Sequence, residues 1–316
     1  MRAATIPAVT LMVLAALVAG TEPAKPQAAS SLPAGDLQPF QISYDLNLVV
    51  LPTSVVDKKG GFATDLTEHD FHAFENGAPV AIRLFRHDDT PVTVGLVVDH
   101  SGSMRNKLAE VIGAAHTFVN LSNPMDQMFV VNFSDTVSLG LPATVPFSDR
   151  ADELQLAIEQ IPAAGQTSLY DAISFALDRL KAGDREKKVL LVVSDGGDTA
   201  SKLEWAPLLK KATESEAVIY TVGIFDTDDP DKNPDVLRKL SRATGGEACF
   251  PEKVDDVIAV CERIASDIRH QYTIGYYSGS AAKPGKYRSV RVVAQLPGRN
   301  LIVRTRTGFV TKAGSK

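Results

Sequence analysis

The sequence predicts an α/β protein: a doubly wound sheet in the middle of the chain and a small antiparallel β unit assembled from the two flanks. Three observations point there. Between residues 91 and 270, short continuous apolar runs alternate with stretches whose apolar residues recur at helical spacing. Outside that span, apolar and polar residues alternate with a period of two and are punctuated by Gly, Asn, Ser and Pro. Neither flank alone holds enough strands for a stable core, so the economical arrangement pairs them and inserts the centre between the halves. Bulk composition agrees. With 316 residues, 44% of them apolar and 22% charged, the chain is long enough for two packed units and is not disordered, fibrous or polytopic. A formal charge of −5 with no basic run gives no electrostatic reason to expect nucleic acid.

The elements follow in order. Arg2 precedes the unbroken small and apolar run 8–19, and Val18-Ala19-Gly20 supplies small residues at its end. Residues 1–20 therefore read as a secretory signal peptide, the apolar run being shorter than the roughly 20 residues of a spanning helix. That places the protein outside the cytoplasm, secreted or periplasmic, with an uncleaved membrane anchor as the alternative. Residues 21–39, rich in Pro, Ala, Ser and Gln, read as a flexible leader. Residues 40–90 form the first half of the β unit. Ile42, Tyr44, Leu46, Leu48 and Val50 alternate as in a half-buried strand, and the runs 70–74 and 80–85 flank Asn76-Gly77, a hairpin signal. Residues 91–270 make the α/β domain. Its buried strands are 92–98, 128–133, 189–193 and 217–222, and its helices 107–121, 169–180, 235–244 and 254–268. Residues 271–316, with strands 272–276, 287–296 and 301–305, complete the β unit. Export to an oxidising compartment permits a bridge between Cys249 and Cys261; the alternative is two buried thiols, since Cys261 shares an apolar stripe with Val257, Ile258, Ile264 and Ile268.

In doubly wound sheets, ligands sit beyond the carboxyl ends of the strands. Three stretches there carry oxygen-bearing side chains: Asp99-His100-Ser101-Gly102-Ser103, Gly165-Gln166-Thr167-Ser168 and Ser194-Asp195-Gly196. Singly, each also fits a solvated turn. Together they offer two carboxylates and three hydroxyls, a set suited to a hard cation such as Mg²⁺. Asp99, Ser101 and Ser103 alternate, so they can face one centre, and Gly102 is expected to keep the turn clear. Two carboxylates against a double positive charge leave room for a partner's acid. Other chemistries lack their motifs: there is no His-Glu-x-x-His, no Gly-x-Ser-x-Gly and no phosphate-binding Gly-rich loop. His100 adjoins the serines, but neighbours on a loop usually point apart, so no enzyme is predicted. Asp226, Asp228, Asp229, Asp231 and Asp235 lack the Gly and Glu of a calcium loop and read as a solvated segment; Asp198 reads as a turn residue, the alternative being a place at the border of the main site.

This constellation resembles the metal-ion-dependent adhesion site of von Willebrand factor type A domains, matched at Asp99, Ser101, Ser103, Thr167 and Asp195. The surrounding stretches 97–104 and 167–172 are also family-like. The flanks, at 65–77, 271–277 and 304–309, resemble exported bacterial proteins of that kind. The resemblance implies a six-stranded, mostly parallel sheet with one antiparallel edge strand. It also implies a divalent metal, Mg²⁺ with Mn²⁺ or Ca²⁺ as alternatives, with Thr167 binding directly in some states and Asp195 often through water. The expected function is a non-enzymatic module that captures an Asp or Glu of a protein partner, with no nucleic acid and no small-molecule cofactor. The alternative is an envelope scaffold whose metal only stabilises the loops.

Overall fold

The computed structural model describes residues 47–159, 161–225, 230–279 and 285–311. The predicted signal peptide and leader lie outside these residues, as do Ile42, Tyr44, Leu46, Asp226, Asp228 and Asp229.

The chain enters β1 (Asn47–Asp57), which continues through Pro52. The Pro52 carbonyl accepts from the Thr305 hydroxyl at 3.0 Å, so the missing N–H faces the same side, where β1 has no ladder partner before Ser54. Strand β2 (Phe71–Glu75) turns at Asn76-Gly77, with φ of 49° and 81°, into β3 (Ala78–Val80). These angles are those of the two-residue turn that matches strand twist. The predicted second strand of this hairpin is in fact split. β3 pairs with β2, and after a break at Ala81 the chain changes sheets as β4 (Ile82–Arg86).

The α/β domain begins with β5 (Val92–Asp99), buried at every residue. It continues through α1 (Leu108–Asn120), β6 (Gln127–Phe133), β7 (Val137–Leu139), α2 (Ala151–Glu159), α3 (Leu169–Leu180), β8 (Lys187–Ser194), α4 (Trp205–Glu214), β9 (Val218–Gly223), α5 (Pro234–Thr244), β10 (Ala248–Cys249) and α6 (Val257–Arg269). The sheet order is β10-β9-β8-β5-β6-β7, six strands, of which only β7 runs antiparallel. Helices α2 and α4 escape a reading of periodicity because they bury little. α4 buries Leu208 and Ala212 and carries Pro207 in its first turn, where a proline breaks no helical bond. Cys249 and Cys261 are free and buried, and burial pushes both thiols up to about 12.

The chain leaves through β11 (Tyr272–Ser278), β12 (Tyr287–Ala294), β13 (Leu301–Arg304) and β14 (Gly308–Val310). Two four-stranded sheets result, β13-β1-β11-β4 and β14-β12-β2-β3, each built from both flanks. They share one core in which Phe71, Phe85 and Tyr272 pack ring to ring at centroid separations of 5.0–5.6 Å.

The β unit and the α/β domain are joined by buried charge. Arg269 reaches Asp89 at 2.9 Å and Asp126 at 3.0 Å, and Asp126 accepts the Val92 N–H that opens β5. Arg304 pairs with Glu247 and, at 2.7 Å, with Asp267. Asp267 also accepts from the Tyr220 hydroxyl, which receives the Gln271 amide.

Candidate metal site

The strand register builds the site. Parallel pairing sets Val98 opposite Val193, so β5 and β8 end side by side, with Asp99 next to Ser194. The sheet order reverses between these two strands, the place in an open α/β sheet where ligands are generally bound.

Four of the five expected donors join one hydrogen-bonded chain. The Ser194 hydroxyl donates to Asp99 Oδ2 at 2.6 Å, and the Ser101 N–H donates to Asp99 Oδ1 at 2.8 Å. The Ser101 and Ser103 hydroxyls lie 3.0 Å apart, and Ser103 Oγ donates to Asp195 Oδ2 at 2.5 Å. Asp195 Oδ1 accepts the Gly197 N–H at 3.0 Å. Thr167 is brought to the same edge through the backbone: the Gly102 N–H donates to the Gly165 carbonyl at 3.1 Å, and the Thr167 carbonyl accepts the N–H groups of Thr199 and Ala200.

Two glycines set these turns. Gly165 (φ +86°) and Gly196 (φ +80°) take left-handed backbone, and a Cβ would collide with the Asp135 carboxylate at the first and with the Asn233 carbonyl at the second. Gly102, by contrast, does not have the role expected of it. A Cβ there would make only an ordinary 3.5 Å contact with the Gly165 carbonyl.

Electrostatically, the site is a buried pair of acids. Asp99 is fully buried and Asp195 nearly so. Burial pushes the Asp99 carboxyl up to about 6; the Ser194 hydroxyl pulls it down and the Asp195 carboxylate adds to the rise. A divalent cation suits this arrangement. Every donor is a hard oxygen, and a positive charge would relieve both the desolvation and the repulsion. Among the described residues no cluster of three or more His, Cys, Asp or Glu forms, so a nitrogen- or sulfur-rich metal centre is not an alternative there.

Sequence reasoning gave Ser194 no role, and expected His100 to point away from the serines, as it does. Ser194 was visible only as a hydroxyl at a strand end beside Asp195. His100 is wholly buried, and its Nε2 lies 3.2 Å from Asn132 Oδ1, away from the serines; burial lowers its pKa. Asn132 in turn donates to the Ala157 carbonyl, so His100 ties the loop 99–103 to β6 and α2. Asp198 accepts the Tyr170 N–H at 3.1 Å and serves the start of α3.

Comparison with known proteins gives one family model and a set of similar folds. Residues 94–197 match the von Willebrand factor type A domain model. A von Willebrand factor type A protein from Catenulispora acidiphila superposes with a TM-score of 0.51 at 12% identity, covering 87% of this chain and 75% of that one. The vWF domain of the type V pili tip protein Mfa5 from Porphyromonas gingivalis gives 0.48 at 13% identity, over 57% of this chain and 95% of that one. BatB from Bacteroides thetaiotaomicron gives 0.45 at 14% identity, over 55% and 98%.

Proposed function

Because residues 94–197 match the von Willebrand factor type A domain model, a class that generally mediates contacts between proteins, we propose that this chain is a non-enzymatic protein-binding module. Its carboxyl edge holds Mg²⁺, or Mn²⁺ or Ca²⁺ in its place, among Asp99, Ser101, Ser103, Thr167 and Asp195, and recognises an Asp or Glu side chain of a protein partner. The module works outside the cytoplasm after removal of residues 1–20.

One observation carries this reading: a fully buried carboxylate, Asp99, is held by hydroxyl and N–H donors and linked through Ser101 and Ser103 to a second carboxylate. When bound, the cation would supply the positive charge that an incoming carboxylate needs. The protein residues do the rest. Ser194 and the Ser101 N–H fix the Asp99 carboxylate, so it needs no reordering. Ser101, Ser103 and Thr167 add neutral oxygens, so the donors carry no more negative charge than the cation balances, and a partner's acid is not repelled. The Nε2 of His100, the imidazole next in sequence to Ser101, faces Asn132, which supports a binding role over histidine-activated serine chemistry.

The scaffold reading, in which the metal merely braces the loops, is disfavoured by the bonds that already join them, from Gly102 to Gly165 and from Thr199 to Thr167. The test is retention of envelope proteins by immobilised full-length chain. A species held in Mg²⁺ but lost in EDTA and by Asp99→Ala supports the proposal. Retention of the same species by Asp99→Ala in EDTA overturns it.

A further inference from the structure

We propose that Asp198 is a positioning residue that locks the Thr167 loop to the Asp195 loop and thereby sets the affinity of the site for its cation without being a donor to it. The inference rests on the metal-site reading above.

Helix α3 begins at Leu169 without a side-chain cap from Ser168, the residue before it. The first N–H groups of a helix have no partner within it and need acceptors from elsewhere. Here the segment after Asp195 supplies them. The Tyr170 N–H donates to Asp198 Oδ1 at 3.1 Å, and the Asp171 N–H donates to the Ser201 hydroxyl at 3.1 Å. Ser201 Oγ donates in turn to the same Asp198 Oδ1 at 2.5 Å. The lacing also runs the other way. The Asp171 carboxylate accepts the N–H groups of Lys202 and Leu203, both at 2.9 Å. Between these crossings, the Thr167 N–H donates to the Thr199 hydroxyl at 3.0 Å, and the Thr167 carbonyl accepts from Thr199 and Ala200.

Thr167 therefore sits inside a clasp made by residues 198–203 and the first turn of α3. Asp198 is the side chain that serves two of its donors at once. It is half-buried, and burial raises its pKa, with the Asp171 charge contributing. A turn residue with no further role would bond only within its own turn; Asp198 also bonds to the first turn of α3, the helix that follows the Thr167 loop. Without that acceptor, the Tyr170 N–H and the Ser201 hydroxyl lose their shared partner, and the bonds of Thr167 to Thr199 and Ala200 and of Asp171 to Lys202 and Leu203 hold the two loops with one crossing fewer. Groups that orient ligands in this way typically govern about ten- to a hundredfold in metal affinity.

The test is calorimetric titration of Mn²⁺ into the full chain, as wild type, Asp198→Ala and Asp198→Asn, with thermal melting in EDTA alongside. The Asn side chain keeps the accepting oxygen. The expected result is one Mn²⁺ site in the wild type, about ten- to a hundredfold weaker binding in Asp198→Ala, and near-wild-type affinity in Asp198→Asn. Should Asp198→Ala not fold, Ser201→Ala, which cuts the same clasp from the other side, is expected to weaken Mn²⁺ binding as well. Wild-type affinity in Asp198→Ala, or equal weakening in Asp198→Ala and Asp198→Asn, overturns the clasp while leaving the metal site standing. A wild type that takes up no Mn²⁺ removes the metal reading itself, and the clasp with it.

Discussion

Buried carboxylates occur at both ends of the α/β domain, and they are treated differently. At the junction with the β unit, the buried Asp126 lies against Arg269 and the buried Asp267 against Arg304, which also pairs with the partly exposed Glu247. At the carboxyl edge, Asp99 is equally buried, but its contacts are the Ser194 hydroxyl and the Ser101 N–H. Taking a carboxylate out of water is costly unless a counter-charge is supplied. The junction carries its counter-charge in its own sequence, which makes it a permanent structural joint. The edge supplies oriented hydroxyls, an arrangement that the proposed cation would complete from solution. The contrast separates charge that holds the fold from charge that performs a task.

The largest expected effect tests the junction. Arg304→Met should lower unfolding stability by about 3–5 kcal/mol at neutral pH, because it leaves the buried Asp267 without its cation. The effect has a direction in pH. Burial raises the Asp267 pKa against the pull of Arg304, so the contribution of this group is full in acid and falls as pH rises through its folded value. Removing Arg304 raises that value further. The variant should therefore lose less at pH 5 than at pH 7.5 when unfolded in urea at both; an equal loss would break the comparison.

Next comes the edge. Mg²⁺ at about a hundred times its dissociation constant should stabilise the wild type by about 2.7 kcal/mol and Asp99→Ala not at all. Denaturant melts with Mg²⁺ or EDTA check this, and an equal gain in both proteins would place the ion elsewhere. A smaller effect sharpens the contrast. Asn233, whose side chain caps α5 by accepting the Val236 N–H at 3.3 Å, should cost about 1 kcal/mol when changed to Ala, with the Mg²⁺ gain unchanged. The smallest concerns an exposed ion pair. Lys181→Ala removes a surface bridge to Asp178 and should change stability by less than about 0.5 kcal/mol, because only desolvated charges count heavily.

Much of this was legible in the sequence. The buried strands announce themselves because a parallel strand covered on both faces is continuously apolar, as in residues 92–98. The turn at Asn76-Gly77 was readable because few residue pairs adopt positive φ twice in succession. The split of the following strand at Ala81 was not, since nothing local tells which sheet a half-buried strand joins. Helix α2 left a weak periodic signal because it buries only Leu154, Ala157 and Ile158. At the site, Asp99, Ser101, Ser103 and Asp195 could be grouped because each follows a recognisable strand. Ser194 could not be singled out: its role depends on β5 and β8 being neighbours, a fact of topology. The structural need for Gly165 and Gly196, and the lack of one for Gly102, likewise rests on what lies across the loop in space.

The central claim is most directly tested by a crystal grown in Mn²⁺ and measured for anomalous scattering. A single strong peak bounded by Asp99, Ser101, Ser103, Thr167 and Asp195, with serine oxygens about 2.0–2.2 Å from it, is the predicted result. An edge without manganese, in a protein that still binds its partner, would contradict it.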